Sequence, residues 1–162
     1  MKKNICLIFC LFFLCTGIAD AQWSAKISVV GQPSPGQNKS QIIIGEGLQS
    51  ENFPAPPAAP QYSCKLVIPS SDWNSFLSKD IKKQGDELKW VLIVNPHGNS
   101  GLPVPVTATL SWESHQFEKG SFELREGWDG LGNVIVSDMN EISLINVTGL
   151  DKDQYFTIIQ KK

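Results

Sequence analysis

Between residues 104 and 112 the chain sets Val104, Val106, Ala108, Leu110 and Trp112 at every second position, with Pro105, Thr107, Thr109 and Ser111 between them. A period of two gives a strand one apolar and one polar face, as expected where one side meets a core and the other water. A different pattern occupies 90–94, where Trp90-Val91-Leu92-Ile93-Val94 is apolar at every position. It predicts a central strand covered on both sides, because Pro96 and Gly98 stop the run too soon for a buried helix. Phe122 and Leu124 alternate with Ser121, Glu123 and Arg125, and Phe156 and Ile158 alternate with Tyr155, Thr157 and Ile159. Together with other β-branched and aromatic runs closed by Gly, Pro, Asn or Asp, these predict strands over 23–30, 41–45, 62–68, 88–95, 104–112, 121–126, 133–137, 141–147 and 154–160. The expected fold is all-β: a two-layer antiparallel β-sandwich, immunoglobulin-like or jelly-roll-like.

The segments between strands carry their own signals. Residues 52–61 hold Pro54, Pro56, Pro57 and Pro60, which remove ladder donors and favour extended polyproline structure, so this stretch is expected to cross between sheets or over one end. Residues 71–84 are the one place where a helix is plausible, capped by Ser70, Ser71 or Asp72, with Trp73, Phe76, Leu77 and Ile81 near helical spacing. Gly127-Trp128-Asp129-Gly130-Leu131-Gly132-Asn133 has the glycine density of a hairpin turn.

The first 21 residues change the setting of this fold. Lys2 and Lys3, an apolar run over 5–18 and Ala19-Asp20-Ala21 before Gln22 read as a signal peptide that is removed, leaving 141 of the 162 residues as a single domain over 22–162. Export to the periplasm, the cell surface or the medium is expected, with no membrane insertion after cleavage. Cys6, Cys10 and Cys15 leave with the signal, so Cys64 alone remains and no intramolecular disulfide forms. Alternation sets Cys64 with Leu66 and Ile68, as an inert buried thiol if that face is inward and as an intermolecular pairing site if outward. The whole chain has 14 Lys and Arg against 16 Asp and Glu; losing Lys2, Lys3 and Asp20 leaves 12 against 15. That balance, with no long basic run, argues against nucleic acid as a partner.

Candidate chemistry is sparse. His97 and His115 are the only histidines, and Glu113 with His115 would share one face of an extended strand without a visible third metal ligand. Asp129, Asn133 and Asp138 carry oxygens suited to calcium, but their spacing matches no calcium loop and turn roles fit them better. No metal or cofactor is expected, and no nucleophile, base or carboxylate pair marks an enzyme. Of the five tryptophans, Trp23, Trp90 and Trp112 are expected in or beside the core. Trp128 and Trp73 remain as candidate ligand-binding platforms, with Asp129 and Asn133 as polar neighbours of Trp128.

Read in order, the chain shows a Trp-led first strand at Trp23, the proline-rich 53–60 segment, Asp80-Ile81-Lys82, Trp90, Leu110-Ser111-Trp112, Asp138-Met139 and Tyr155-Phe156-Thr157-Ile158. This order resembles a loosely defined family of β-sandwich modules in bacterial secreted and cell-surface proteins, with Lys82 where the usual residue is Arg. The resemblance implies an accessory module without catalysis and supplies no ligand. The expected function is a non-catalytic secreted or envelope module that binds or helps assemble a surface protein or polysaccharide. A carbohydrate-binding module and a self-assembling structural subunit are the alternatives.

Overall fold

The computed structural model describes residues 21–31, 39–56, 63–67, 76–95, 106–117, 119–149 and 154–162. Residues 1–20, nearly all of the expected 1–21 signal peptide, Trp73 and His97 lie outside the described residues. The elements are β1 (Ala21–Gly31), β2 (Lys39–Gly47), β3 (Glu51–Pro54), β4 (Ser63–Val67), β5 (Phe76–Lys83), β6 (Glu87–Asn95), β7 (Val106–Trp112), a 3-10 turn (Ser114–Phe117), β8 (Ser121–Glu126), β9 (Val134–Val136), β10 (Leu144–Gly149) and β11 (Gln154–Lys161). Hydrogen bonds run through the order β10-β7-β1-β2-β5-β4-β6-β11-β8-β9, with β3 added to β5. The strands pack as two layers around one core, the arrangement of a β-sandwich.

Alternation decides which side chains meet between the layers. Trp23, Ala25, Ile27 and Val29 of β1 point inward with Ile42 and Ile44 of β2 and Ala108, Leu110 and Trp112 of β7. Opposite them stand Leu88, Trp90, Leu92 and Val94 of β6, Phe122 and Leu124 of β8, and Phe156 and Ile158 of β11. The Trp23 ring lies edge-on to Trp90 at 5.6 Å and to Phe122 at 4.9 Å, and Phe117 closes the cluster at 5.0 Å from Phe122. Edge-to-face pairs of this kind add about 0.5–1.5 kcal/mol each to the area they bury. As expected for an all-apolar strand, β6 is covered twice: Val91 and Ile93 form a second cluster on its other face with Phe76 and Tyr155.

Segment 137–143 joins the layers at one side. Met139 N donates to Phe122 O, extending the β8 ladder, and Trp112 N donates to Ser143 O, extending the β7 ladder. The Trp112 indole also donates to Met139 O at 2.9 Å. Where β7 ends, the Gln116 side-chain oxygen accepts from Lys26 N at 2.8 Å in place of a strand partner.

Four expectations need correction. The sheet is not purely antiparallel, because β2 and β5 pair in parallel from Ile43 opposite Lys79 to Gly47 opposite Lys83. Residues 76–83, inside the expected helix, form strand β5. Phe53 pairs with Lys79 and Pro54 with Leu77, so Ser78 is an extra residue, a bulge that exchanges the faces of β5. Leu77 thus enters the core, while Ile81, four residues on, is buried outside the central cluster; their helical spacing is a product of the bulge. The start of the 52–61 segment is not a free crossover but belongs to β3, an edge strand ending at Pro54, the position where a missing N–H is tolerated. Finally, β10 begins at Leu144 rather than 141, since Asp138 Oδ1 accepts from Asn140 N at 2.8 Å and holds a turn there.

Gly45 is required where β1, β2 and β5 meet. A Cβ there would sit 2.4 Å from the Trp23 carbonyl oxygen and 2.8 Å from Ile81 Cδ1. Because the first of these is backbone, relief requires the strand to move. Gly45→Ala is expected to lower stability by about 1–3 kcal/mol in urea unfolding; an unchanged midpoint would contradict the packing of Ile81 on Gly45.

Candidate functional site

The glycine-rich loop between β8 and β9 is held by its backbone rather than hanging free. Glu126 N donates to Asn133 O at 2.9 Å and Gly127 N to Tyr155 O at 2.8 Å. Thr157 Oγ1 donates to Gly127 O at 2.8 Å. Gly127 and Gly130 adopt φ of 87° and 76°, which side chains rarely tolerate. A Cβ on Gly130 would come within 3.1 Å of Ile159 Cδ1, so the turn lies close against β11.

On this anchored loop Trp128 is 53 % exposed. Asp129 and Asn133, its expected polar neighbours, serve the turn: Asp129 Oδ1 accepts from Leu131 N at 2.9 Å, and Asn133 Nδ2 donates to Glu126 Oε2 at 3.2 Å. Trp73, the other expected platform, lies outside the described residues. Glu113 and His115 do not share a strand face, because β7 stops at Trp112 and the chain turns through the 3-10 element; His115 Nε2 lies 3.4 Å from Glu113 Oε2 and both are well exposed. Cys64 lies in β4 opposite Val94 in register, its side chain outside the description.

Trp128 is one of several exposed apolar side chains. Among the described residues, the exposed large hydrophobic side chains are Leu48, Phe53, Trp128, Leu131, Val134, Ile135, Ile142 and Leu144. Most of them fall between 128 and 144, on the loop, on edge strand β9 and at the start of edge strand β10. The same stretch, counted from 126, carries Glu126, Asp129, Asp138 and Glu141 and no lysine or arginine. Apolar side chains on edge strands, interspersed in the sequence with carboxylates, are suited to a partner, since exposed edges are otherwise blunted or covered.

A second concentration of polar groups is internal. Glu46 is 2 % exposed at the inner end of β2, where it accepts from the Trp23 indole at 3.1 Å and from Gln160 Nε2 at 3.4 Å and pairs with Lys162 Nζ at 2.5 Å. Gln160 Nε2 also donates to Lys119 O at 3.0 Å. Burial pushes the Glu46 carboxyl up, but the Lys162 contact and the Trp23 and Gln160 donors outweigh it and leave the group below its ordinary value. On the surface of β8, hydrogen bonds from Arg125 hold Glu123 down against partial burial, helped by Lys161. Through these contacts Glu46 ties β2 to β1 and to β11 with the residue that follows it.

The residue pattern gave no hint of a third feature. Register aligns Lys26 of β1 with Ile43 of β2, Ile43 with Lys79 of β5, and Lys79 with Phe53 of β3, giving one row across the outer face. With Gln41 and Ser78 these residues line an open groove of about 420 Å³. In comparisons with known proteins the chain matches no family model, no curated protein and no solved structure, so what it does must be read from these surfaces.

Proposed function

We propose that this chain is a non-catalytic, exported β-sandwich module that docks a surface partner along the 128–144 edge. The observation supporting this reading is the concentration there of Trp128, Leu131, Val134, Ile135, Ile142 and Leu144, interspersed in the sequence with carboxylates. Their chemistry calls for an envelope or extracellular protein that presents apolar side chains flanked by lysine or arginine. The finer fold class, immunoglobulin-like or jelly-roll-like, belongs to the same reading; its support is the placement of sequence-distant strands side by side, as with β11 between β6 and β8.

A photo-crosslinking residue at position 131, in protein expressed and exported by its own host, is expected to form one discrete adduct. The same residue at position 89, on β6, should form none. Adducts at both positions or at neither would remove the docking reading. Trp128→Ala is expected to cost about 1–2 kcal/mol of unfolding free energy, less than a core tryptophan because the side chain is half in solvent, while weakening the 131 adduct. Carbohydrate stacking on Trp128 is a second reading, favoured by the exposure of the ring on an anchored loop. Under that reading Trp128→Ala abolishes glycan binding and leaves the 131 adduct intact.

A further inference from the structure

The outer face of the layer containing β10, β7, β1 and β2 is rich in hydroxyl and amide groups. Thr109 Oγ1 donates to Asn146 Oδ1 at 3.1 Å, Gln41 Nε2 to Ser28 Oγ at 3.1 Å, and Thr107 and Thr148 hydroxyls lie 3.5 Å apart. At the far side of this polar face, the Lys26-Ile43-Lys79-Phe53 row forms the open groove. Its walls differ in chemistry. Phe53, on edge strand β3, is 50 % exposed, with the Lys79 ammonium 5.2 Å from the centre of its ring. Lys79 is itself neutralised by Glu51 at 2.7 Å. Lys26 has no carboxylate within ion-pair distance among the described residues, and its side chain is exposed. Among the described residues the groove therefore retains one uncompensated positive charge, at the end opposite the aromatic ring.

We propose that this groove binds a short stretch of an anionic polysaccharide, a polyuronate being the simplest case. An aromatic face with polar groups around it suits a pyranose ring, whose axial C–H bonds lie against the ring while its hydroxyls point to the rim. Phe53, half exposed, supplies the part of its ring that the Lys79 ammonium leaves open. Ser78 Oγ, which already donates to Pro54 O at 3.0 Å, retains lone pairs for a sugar hydroxyl, and the Gln41 side-chain oxygen accepts another. The carboxylate of a neighbouring sugar unit goes to Lys26 Nζ, three strand spacings of about 4.8 Å from Phe53 and without a counterion among the described residues; a neutral polymer would leave that charge unanswered. The volume of about 420 Å³ is of the size used by small-molecule sites. The flat polar face beyond Gln41 then gives neighbouring sugar units hydroxyl and amide partners along the chain direction. This site stands apart from the 128–144 edge and from Trp128, and neither reading depends on the other.

Affinity electrophoresis of residues 22–162 in gels containing a soluble polyuronate, with dextran as the neutral control, tests the proposal. The polyuronate is expected to retard the protein and dextran to leave it unaffected. Phe53→Ala and Lys26→Gln should each weaken retardation about tenfold, with far-ultraviolet circular dichroism and melting temperature preserved because both side chains are exposed. Lys89→Gln, on β6 and paired with Glu87 at 3.0 Å, should have no effect. Absence of retardation, equal retardation by dextran, insensitivity to both groove substitutions, or equal loss in Lys89→Gln would each overturn the proposal, the last by showing general polyanion attraction.

Discussion

Trp112→Ala is expected to cost about 3–5 kcal/mol of unfolding free energy, the range for removing a large aromatic from a packed core. Trp112 is 5 % exposed and lies edge-on to Phe117 at 6.5 Å. It also ties the layers together, because its indole donates to Met139 O and its backbone N donates to Ser143 O on the joining segment. Truncation thus opens a cavity and leaves the Met139 carbonyl without its donor. Single domains have a total stability of about 5–15 kcal/mol, so much of it would go. Urea unfolding of the parent and Trp112→Phe beside Trp112→Ala separates the two contributions. Phenylalanine restores most of the volume but not the hydrogen bond, and its loss should be about 1–3 kcal/mol. If Trp112→Ala unfolds at the midpoint of the parent, the inward register of β7 is wrong.

Glu46→Ala is the second large effect, expected at about 3–5 kcal/mol because it strands buried donors rather than only removing a contact. The Trp23 indole loses its acceptor, Gln160 loses one of its two, and Lys162 loses its counterion. The pH dependence has a fixed sign. The Glu46 carboxyl lies lower in the folded protein than its ordinary value, so the unfolded chain binds the proton more readily. The stabilisation is therefore complete above the ordinary carboxylate range and is lost as pH falls through the folded value. Glu123 acts in the same direction. In chemical unfolding, the gap between parent and Glu46→Gln should be widest near neutral pH and shrink on acidification to about pH 3. A gap independent of pH would show that the Glu46 charge contributes nothing.

The strands most legible from residues were those whose alternation is unbroken or whose apolar run is complete. Leu110 and Trp112 of β7 and Trp90 to Val94 of β6 announce their faces within a few residues, and the structure buries them accordingly. β5 was hidden because one bulged residue, Ser78, places Leu77 and Ile81 at helical spacing while sending them to different environments. β3 was hidden because prolines mark both edge strands and crossovers, and only its pairing with β5 distinguishes them. The Trp128 loop was legible as a turn from its glycines, and the Asp129 and Asn133 side chains were found satisfying the turn. The Lys26-Ile43-Lys79-Phe53 row was invisible, since it is assembled by pairing between four strands, one ladder of them parallel. A half-exposed phenylalanine beside an edge proline was its only local trace.

The position of β11 sets an order of assembly. It is the last of the described strands yet sits in the interior of the sheet, pairing β6 on one side through Gln154 to Lys161 and β8 on the other through Phe156 to Lys161. A nascent chain that has not yet delivered residue 154 can pair β6 with β4 but leaves its other edge open. That edge carries Trp90-Val91-Leu92-Ile93-Val94, uncharged, proline-free and strongly β-forming, which is the composition of an aggregation-prone segment. Until the eight-residue β11 closes over it, this short strand is open to pairing with other chains.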